Sequence, residues 1–326
     1  MPAVGLYAAL RRRWLYARCL AGPAPTVVLR YHAVGDPDEV GRYLDPALSI
    51  TPERFREQLR ILARSFEFAL PADISPGEAA VAPRAVLTFA DGYRDTLGVA
   101  LPILREEGVR AAFFVTTGPL RAGRHFWISE LWRLARRLPP GPLDLPPPAP
   151  AHVPADPAGR ERMRRGLSRW LSGRTAAERD AALDQLAARA GVPRGEGLSG
   201  TFLDADGVRA LAAAGMAVGA HSRTHPHLDR LHPAEHDGEV AGSRADLAAV
   251  LGRPVEDFAY PNPSGGGPVG AAARDAVVRA GFRRALTSIA APFGPGCDPL
   301  RLPRLGVYAG AQEAQLFRAI ARAGAR

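Results

Sequence analysis

Residues 87–93 read LTFADGY, and this stretch decides the fold. An apolar run with high strand propensity ends abruptly in an acid and a glycine, as expected of a buried strand that stops at Asp91 and turns. A second apolar run, residues 216–220, ends in the sequence HSRTH at 221–225. The two runs predict neighbouring strands whose ends carry one carboxylate and two imidazoles.

Strand-like and helix-like segments alternate along the chain on both sides of this stretch. The predicted strands are 26–32, 85–89, 112–116, 216–220, 257–260 and 284–287, and the predicted helices are 51–63, 95–107, 204–214, 234–251 and 269–280. This alternation predicts an α/β fold with a parallel sheet and outer helices. Ligands then bind at the carboxyl ends of the strands, where His32, Asp91, His221 and Tyr260 fall.

One region, at about residues 139–200, interrupts the alternation. Residues 139–154 are dense in proline, which excludes regular structure in that segment. Residues 157–171 and 176–190 then have the pattern of two amphipathic helices. We interpret the region as a helical insertion on the rim of a barrel-like domain that spans residues 25–326.

Residues 1–24 form a separate basic, amphipathic segment. Its arginines follow a short apolar stretch, the reverse of the order in a secretory signal, and no run is long enough to span a bilayer. A helix resting on a membrane surface and a helix packed across the bottom of the barrel are both compatible with this pattern. Because Cys19 and Cys297 are the only cysteines, we expect a cytoplasmic protein, peripheral to the membrane under the first alternative.

The chain of 326 residues has a formal net charge of +9, and all of its basic side chains other than histidine are arginines. Arginine in place of lysine, with abundant alanine, glycine and proline, indicates a GC-rich coding sequence. The arginines are spread over many segments and do not form one stripe with aromatic residues, so we expect no nucleic-acid partner. The charge instead favours an anionic substrate or a membrane surface.

Asp91, His221 and His225 are the candidate metal ligands. His-x-x-x-His places two imidazoles on one side of a helical turn, so that both can reach the same ion. Three protein ligands with open positions are the catalytic rather than the structural pattern. The expected cofactor is a divalent metal, zinc or another borderline ion, because a mixed nitrogen and oxygen site does not select one metal.

At these two motifs the chain resembles the polysaccharide deacetylase family, whose signatures are Thr-Phe-Asp-Asp-Gly and His-Ser/Thr-x-x-His. The third family motif is similar to FAYPN at residues 258–262. The resemblance covers about residues 27–307. It implies a distorted (β/α) barrel of seven strands and a metal-dependent hydrolase that removes an N-acetyl or similar N-acyl group from an amino sugar. The implied partner is a glycan or glycan precursor that contains amino sugars.

Position 90 departs from the family pattern. The family has its general base there, an aspartate that takes a proton from the attacking water, whereas Ala90 has no proton acceptor. Ala90 is either an introduced change that traps substrate or the natural residue. In the second case Asp95 or a metal-bound hydroxide replaces the base, or catalysis is lost. The rival function is therefore a catalytically dead protein that still binds metal and sugar.

The resemblance and the strand ends suggest further site residues. Tyr260 and Pro261 would form a wall of the substrate groove. Trp127 would either stack on the sugar at the rim or only pack there, which is the more common role of such a residue. His32 is expected to act as an acid, as a substrate contact or only as a hydrogen-bonded strand-end residue. Arg304 stands where the family has its last motif and would steady an anionic or carbonyl group.

Overall fold

The computed structural model describes residues 26–76, 82–121, 125–261, 269–291 and 293–309. The predicted N-terminal segment, residues 1–24, lies outside the described residues. Within the described part of the chain, no helix is both long enough and apolar enough to cross a membrane.

A parallel sheet forms the centre of the molecule. In chain order the described strands are β1 (Thr26–Tyr31), β2 (Ala33–Val34), β3 (Ser49–Ile50), β4 (Glu67–Ala69), β5 (Arg84–Phe89), β6 (Ala112–Val115), β7 (Gly141–Pro142), β8 (His152–Val153), β9 (Ala217–Ala220), β10 (Asp257–Ala259), β11 (Arg284–Leu286) and β12 (Leu305–Gly306). Seven of them form the main sheet in the order β11-β10-β9-β6-β5-β1-β12, and β4 pairs with the first half of β5. Every pairing in this sheet is parallel.

Helices surround the sheet. The described α-helices are α1 (Pro37–Val40), α2 (Pro52–Leu62), α3 (Leu101–Glu106), α4 (Trp127–Arg137), α5 (Pro157–Leu171), α6 (Ala176–Ala190), α7 (Ala205–Ala213), α8 (His236–Leu251) and α9 (Ala271–Arg279). A π-helical turn, Thr96–Ala100, leads into α3. Thr51 caps α2 by accepting a hydrogen bond from the amide of Arg54, and a proline follows at the first position, as the sequence predicts.

The sheet is curled, and residues 302–307 bridge its two sides by bonding to β11 at one side and to β1 at the other. The amide of Leu302 donates to the carbonyl oxygen of Ala285 in β11 (2.8 Å), and the amide of Val307 donates to that of Arg30 in β1 (2.9 Å). The predicted seven-stranded, barrel-like α/β fold is therefore confirmed.

Alternation along each strand divides the core into an outer and an inner layer. In β1, for example, Leu29 packs in the large cluster that includes the helices, whereas Val28 packs in a smaller cluster. The smaller cluster consists mainly of residues from strands around the sheet, including Val86, Phe114, Ala259 and Leu286, and Leu302 beside β11 joins them, so the cluster fills the barrel interior. Each strand thus sends every second side chain towards the axis of the barrel.

The region at about residues 139–200 contains the two predicted helices, α5 and α6. They pack against α4 around a separate apolar core that includes Leu134, Met163, Leu167 and Leu183. The expectation that residues 139–154 lack regular structure is wrong in one detail, because β7 and β8 form a short antiparallel pair. Pro142 is compatible with this pair because the two strands are only two residues long and have free edges among the described residues.

Candidate metal centre and active site

Asp91 lies in a sharp turn directly after β5. Its φ angle is 77°, and that of Gly92 is 99°. A Cβ atom on Gly92 would lie 3.1 Å from a methyl carbon of Val115, and its positive φ disfavours other residues. A left-handed aspartate costs on the order of 1 kcal/mol or more, so the fold holds this turn against local preference. The turn directs the Asp91 carboxylate back across the carboxyl ends of the strands.

The segment that carries both histidines, residues 221–225, is a loop, which corrects the expected helical turn. Ser222 and His225 have φ angles of 60° and 57°, in the left-handed region. The hydroxyl of Ser222 accepts a hydrogen bond of 3.0 Å from the amide of His225 and closes the loop. The two imidazoles therefore converge because the loop folds back on itself, and their four-residue spacing reflects no helix.

Charged side chains from two helices hold this loop in place. Arg223 makes two hydrogen bonds of 2.9 Å to Asp246 in α8. Glu239, also in α8, accepts a hydrogen bond of 2.8 Å from the amide of Thr224. The buried guanidinium of Arg179 in α6 donates to the hydroxyl of Thr224. Both the barrel and the helical insertion thus position the histidine loop.

Asp91, His221 and His225 are buried, and their ligand atoms all lie within 4.8 Å of one another. Oδ1 of Asp91 is 3.4 Å from Nε2 of His221 and 3.2 Å from Nε2 of His225. Bonds of about 2.0–2.2 Å at tetrahedral angles would separate neighbouring ligand atoms by about 3.3–3.6 Å. The three side chains therefore fit a single ion of the zinc type.

The tautomer of His221 also fits a metal ligand. Its Nδ1 lies 2.6 Å from the carbonyl oxygen of Ala259, which can only accept, so Nδ1 carries the proton. The lone pair of Nε2 then faces Asp91, as in metal sites where a carbonyl orients the ligating imidazole. Burial lowers the pKa of His221 to about 4, so the ring is neutral at physiological pH.

Burial and charge also shift the pKa values of the other groups. Burial acts to raise the pKa of the Asp91 carboxyl, but the neighbouring imidazoles, His225 foremost, outweigh burial and hold the pKa well below its usual range. Burial lowers the pKa of His32 to about 3. Burial, together with the charge of Arg30, also lowers the pKa of the Arg304 guanidinium.

A cavity of about 460 Å³ opens beside the three ligands. This volume is typical of a small-molecule site. It brings together most of the residues that the sequence singles out, namely His32, Ala90, Asp91, His221, His225 and Arg304. Strand alternation explains why Ala90 is among them, since it follows the inward-facing Val86 at an interval of four residues.

Trp127, Tyr260 and Pro261 do not line this cavity. Tyr260 follows the outward-facing Phe258 in β10 and packs in the outer core, where its hydroxyl donates to the carbonyl oxygen of Leu300. Tyr260 and Pro261 instead border a smaller pocket with His227. Trp127 is buried in the core of the helical insertion, and its Nε1 donates to the carbonyl oxygen of His225. The structure therefore places these three residues outside the cavity beside the candidate ligands, in packing and supporting positions.

Sequence reasoning missed the wall of the cavity that the helical insertion supplies. Arg164, Arg165, Ser168 and Arg169 of α5 line it, together with Trp132 of α4. The pairs 164/168 and 165/169 are spaced four apart, so they share a helix face, and this signal was available in the sequence. The sequence does not reveal that this face covers the mouth of the barrel.

Asp95, one alternative for the missing base, does not line the cavity. Its carboxylate accepts a hydrogen bond of 2.8 Å from the hydroxyl of Tyr43. Burial raises the pKa of Asp95 to about 7, although the hydrogen bond from Tyr43 acts to lower this pKa. Asp95 therefore lies outside the cavity beside the candidate ligands, with its carboxyl group held by Tyr43.

The family model for polysaccharide deacetylases matches residues 78–285, more than half of the chain. The chain belongs to the polysaccharide deacetylase family. The match includes the Asp91 turn and the histidine loop, and it ends within β11. No curated protein sequence matches the chain.

Solved structures of other proteins share the fold. The deacetylase PplD of Streptococcus pyogenes, in complex with acetate, is 17% identical, with a TM-score of 0.60 over 92% of this chain and 99% of that one. IcaB from Ammonifex degensii is 18% identical, with a TM-score of 0.58 over 91% and 97% of the two chains. A de-N-acetylase from Aggregatibacter actinomycetemcomitans is 15% identical, with a TM-score of 0.54 over 90% and 99%. At these identities the likeness shows a common fold.

Proposed function

We propose that this protein is a metal-dependent hydrolase that removes an N-acetyl or similar N-acyl group from an amino sugar in a glycan or glycan precursor. The observation that carries the proposal is the convergence of Asp91, His221 and His225 beside a cavity of about 460 Å³. Membership of the polysaccharide deacetylase family supplies the chemistry to which this geometry is suited.

The three side chains would hold a divalent ion, with zinc the best fit to two imidazoles and a carboxylate. Such an ion, when bound, polarises the acyl carbonyl and activates water. Asp91 would stay ionised as a ligand, and Ala259 would keep the proton of His221 on Nδ1. His32, neutral at physiological pH, would accept a hydrogen bond from the substrate rather than donate a proton.

Arg304 would contact the substrate from inside the barrel. Its Nε donates to the carbonyl oxygen of Thr287 (2.7 Å), whereas Nη1 and Nη2 have no acceptor among the described residues. These two nitrogens are available to a carbonyl or anionic group of the substrate.

Ala90 would make this form slow. The side chain at position 90 faces the cavity and is 2% exposed, but a methyl group cannot take a proton. Loss of a general base costs about 10²–10⁴-fold in rate. Ala90 also favours the second candidate function, a catalytically dead protein that binds metal and sugar.

Restoring a carboxylate at position 90 distinguishes the two functions. Zinc-loaded Ala90→Asp should release acetate from N-acetylated amino sugars faster than the parent, by up to about 10²–10⁴-fold. Ala90→Asn is the matched control, because it has the same size but no basic oxygen, and it should gain nothing. If Ala90→Asp binds zinc and sugar but releases no acetate, the hydrolase is excluded and the binding protein remains.

A further inference from the structure

The cavity beside the metal ligands is strongly basic. Arg30, Arg164, Arg165, Arg169 and Arg304 line it, whereas the acids on its lining are Asp45 and Asp91. The cavity thus brings the arginines of α5 together with two from strands or strand ends that are distant in sequence.

Ion pairs neutralise only part of this charge. Arg164 lies 3.3 Å from Asp45 and 2.7 Å from Glu161, and Arg165 lies 2.6 Å from Glu161. In the described part of the chain, Arg30, Arg169 and Arg304 have no carboxylate partner. Asp91 is committed to the two imidazoles, so it cannot balance all three.

Arg30 and Arg304 form a pair at the floor of the cavity. Arg30 is in register with Gly306 of the adjacent strand, and Arg304 lies two residues before Gly306, so the two side chains project on the same face. Arg30 lies two residues beyond the inward-facing Val28, and the guanidinium of Arg304 lies 5.6 Å from the ring centroid of Phe114 in the inner core. Both cations therefore lie at the top of the barrel interior, above its apolar filling.

Arg304 is buried and Arg30 is partly buried, and both have few hydrogen-bond partners. Arg304 is 1% exposed, and neither of its terminal nitrogens has an acceptor within the described ranges. Arg30 donates to the hydroxyl of Tyr308 (2.8 Å), but its buried Nε has no acceptor among the described residues. Buried cations are normally paired, and guanidinium groups match the oxygens of phosphate and carboxylate groups. A neutral carbonyl could occupy these donors but would leave two like charges side by side.

We infer that the substrate carries an anionic oxygen group, a phosphate or a carboxylate, which Arg30 and Arg304 bind beside the reacting N-acyl group. Arg169 on the opposite wall adds to the positive field that attracts the anion. The identity of the substrate as an N-acylated sugar rests on the proposed function. The anion subsite rests only on Arg30 and Arg304 in the barrel interior. The substrate class is therefore an N-acylated amino sugar with an acidic substituent, and neutral chitin-like chains fit it poorly.

Calorimetric titration with three small probes tests the subsite without catalysis. N-acetylglucosamine 1-phosphate carries a phosphate, N-acetylmuramic acid carries a carboxylate, and N-acetylglucosamine is neutral. Each is titrated into metal-free and zinc-loaded protein at low and high salt. At least one anionic probe should bind about tenfold or more tightly than the neutral sugar in both metal states, and high salt should reduce the difference. The tighter of the two anionic probes identifies the group.

Variants assign the effect to the floor of the cavity. Arg30→Gln should remove most of the preference for the anionic probe, and Arg169→Gln should reduce it less. Arg162→Gln is the matched control, since Arg162 is an exposed residue of α5 outside the cavity, and it should change nothing. Equal binding of all three probes, or an unchanged preference in Arg30→Gln, overturns the inference. The binding test includes metal-free protein, so its result does not depend on catalysis. If Ala90→Asp releases no acetate but the preference for the anionic probe remains, the hydrolase is rejected and the anion subsite is retained.

Discussion

Nδ1 of His221 donates a hydrogen bond of 2.6 Å to the carbonyl oxygen of Ala259. The ligand at the end of β9 is thus oriented by the backbone of β10. Ala259 orients the imidazole through its backbone carbonyl oxygen and not through its side chain. The position of this oxygen depends on the parallel pairing of β10 with β9, in which Phe258 is in register with Ala220. The proposed metal centre is therefore sensitive to any change that separates β9 from its neighbours.

Gly219 tests this dependence. A Cβ atom at position 219 would lie 2.5 Å from the ring of Phe114 and 2.9 Å from the carbonyl oxygen of Asp257. Gly219→Ala should lower the free energy of unfolding by about 1–3 kcal/mol, as overpacking does, and should also weaken zinc binding. Urea denaturation and zinc titration measure the two effects. Gly238→Ala is the control, because its Cβ would meet nothing within 4 Å in α8. Equal results for the two variants would contradict this explanation.

Trp127 supports the histidine loop. It is 4% exposed, and its Nε1 donates to the carbonyl oxygen of His225 (3.2 Å). Trp127→Phe should lower the free energy of unfolding by about 1–3 kcal/mol because a buried carbonyl loses its donor, and it should leave sugar affinity unchanged in the folded protein. Trp132→Phe is the comparison, since Trp132 lines the cavity and should affect sugar binding. Weaker sugar binding in Trp127→Phe, without loss of stability, would instead restore the role at the rim.

Asp95 should make the protein less stable as pH rises. Burial raises its pKa from 3.8 to about 7, so the folded state retains a proton that the unfolded state has already lost between these values. The neutral carboxyl makes its whole contribution to stability below pH 3.8, and this contribution is lost as the pH rises to about 7. Asp95→Asn should not show this decline. Between pH 3.8 and about pH 7 its free energy of unfolding should therefore rise relative to that of the parent by up to about 4 kcal/mol.

Urea denaturation of both proteins across this pH range measures the difference. Asparagine can still accept the hydrogen bond from Tyr43, so the comparison isolates the charge. Parallel pH profiles for the two proteins would show that Asp95 ionises normally.

The sequence was sufficient to predict the fold and the convergence of the ligands at one edge of the sheet. Residues 85–89 and 216–220 read as strands because their apolar runs end at chemically distinctive residues, and parallel strands bring those ends together. Strand alternation also explains why Ala90 faces the cavity and Tyr260 does not.

Other features of the site depend on contacts that no local pattern encodes. His221 and His225 have the spacing of a helical turn, but Ser222 and His225 take left-handed conformations because α6 and α8 hold the loop. Arg169 belongs to an insertion whose docking on the barrel cannot be read from its own helical periodicity, and Trp132 lies on α4, against which the insertion packs. The pairing of Arg30 with Arg304 requires strands that are far apart in sequence to become neighbours.

Anomalous scattering from crystals grown with zinc tests the central claim, that Asp91, His221 and His225 hold one divalent ion. We predict a single strong peak among these side chains, about 2.0–2.2 Å from one carboxylate oxygen and the two Nε2 atoms. The His221→Ala/His225→Ala variant, purified with zinc, should retain none of this bound metal. A peak elsewhere with none at the three residues, or unchanged zinc content in the variant, would contradict the account.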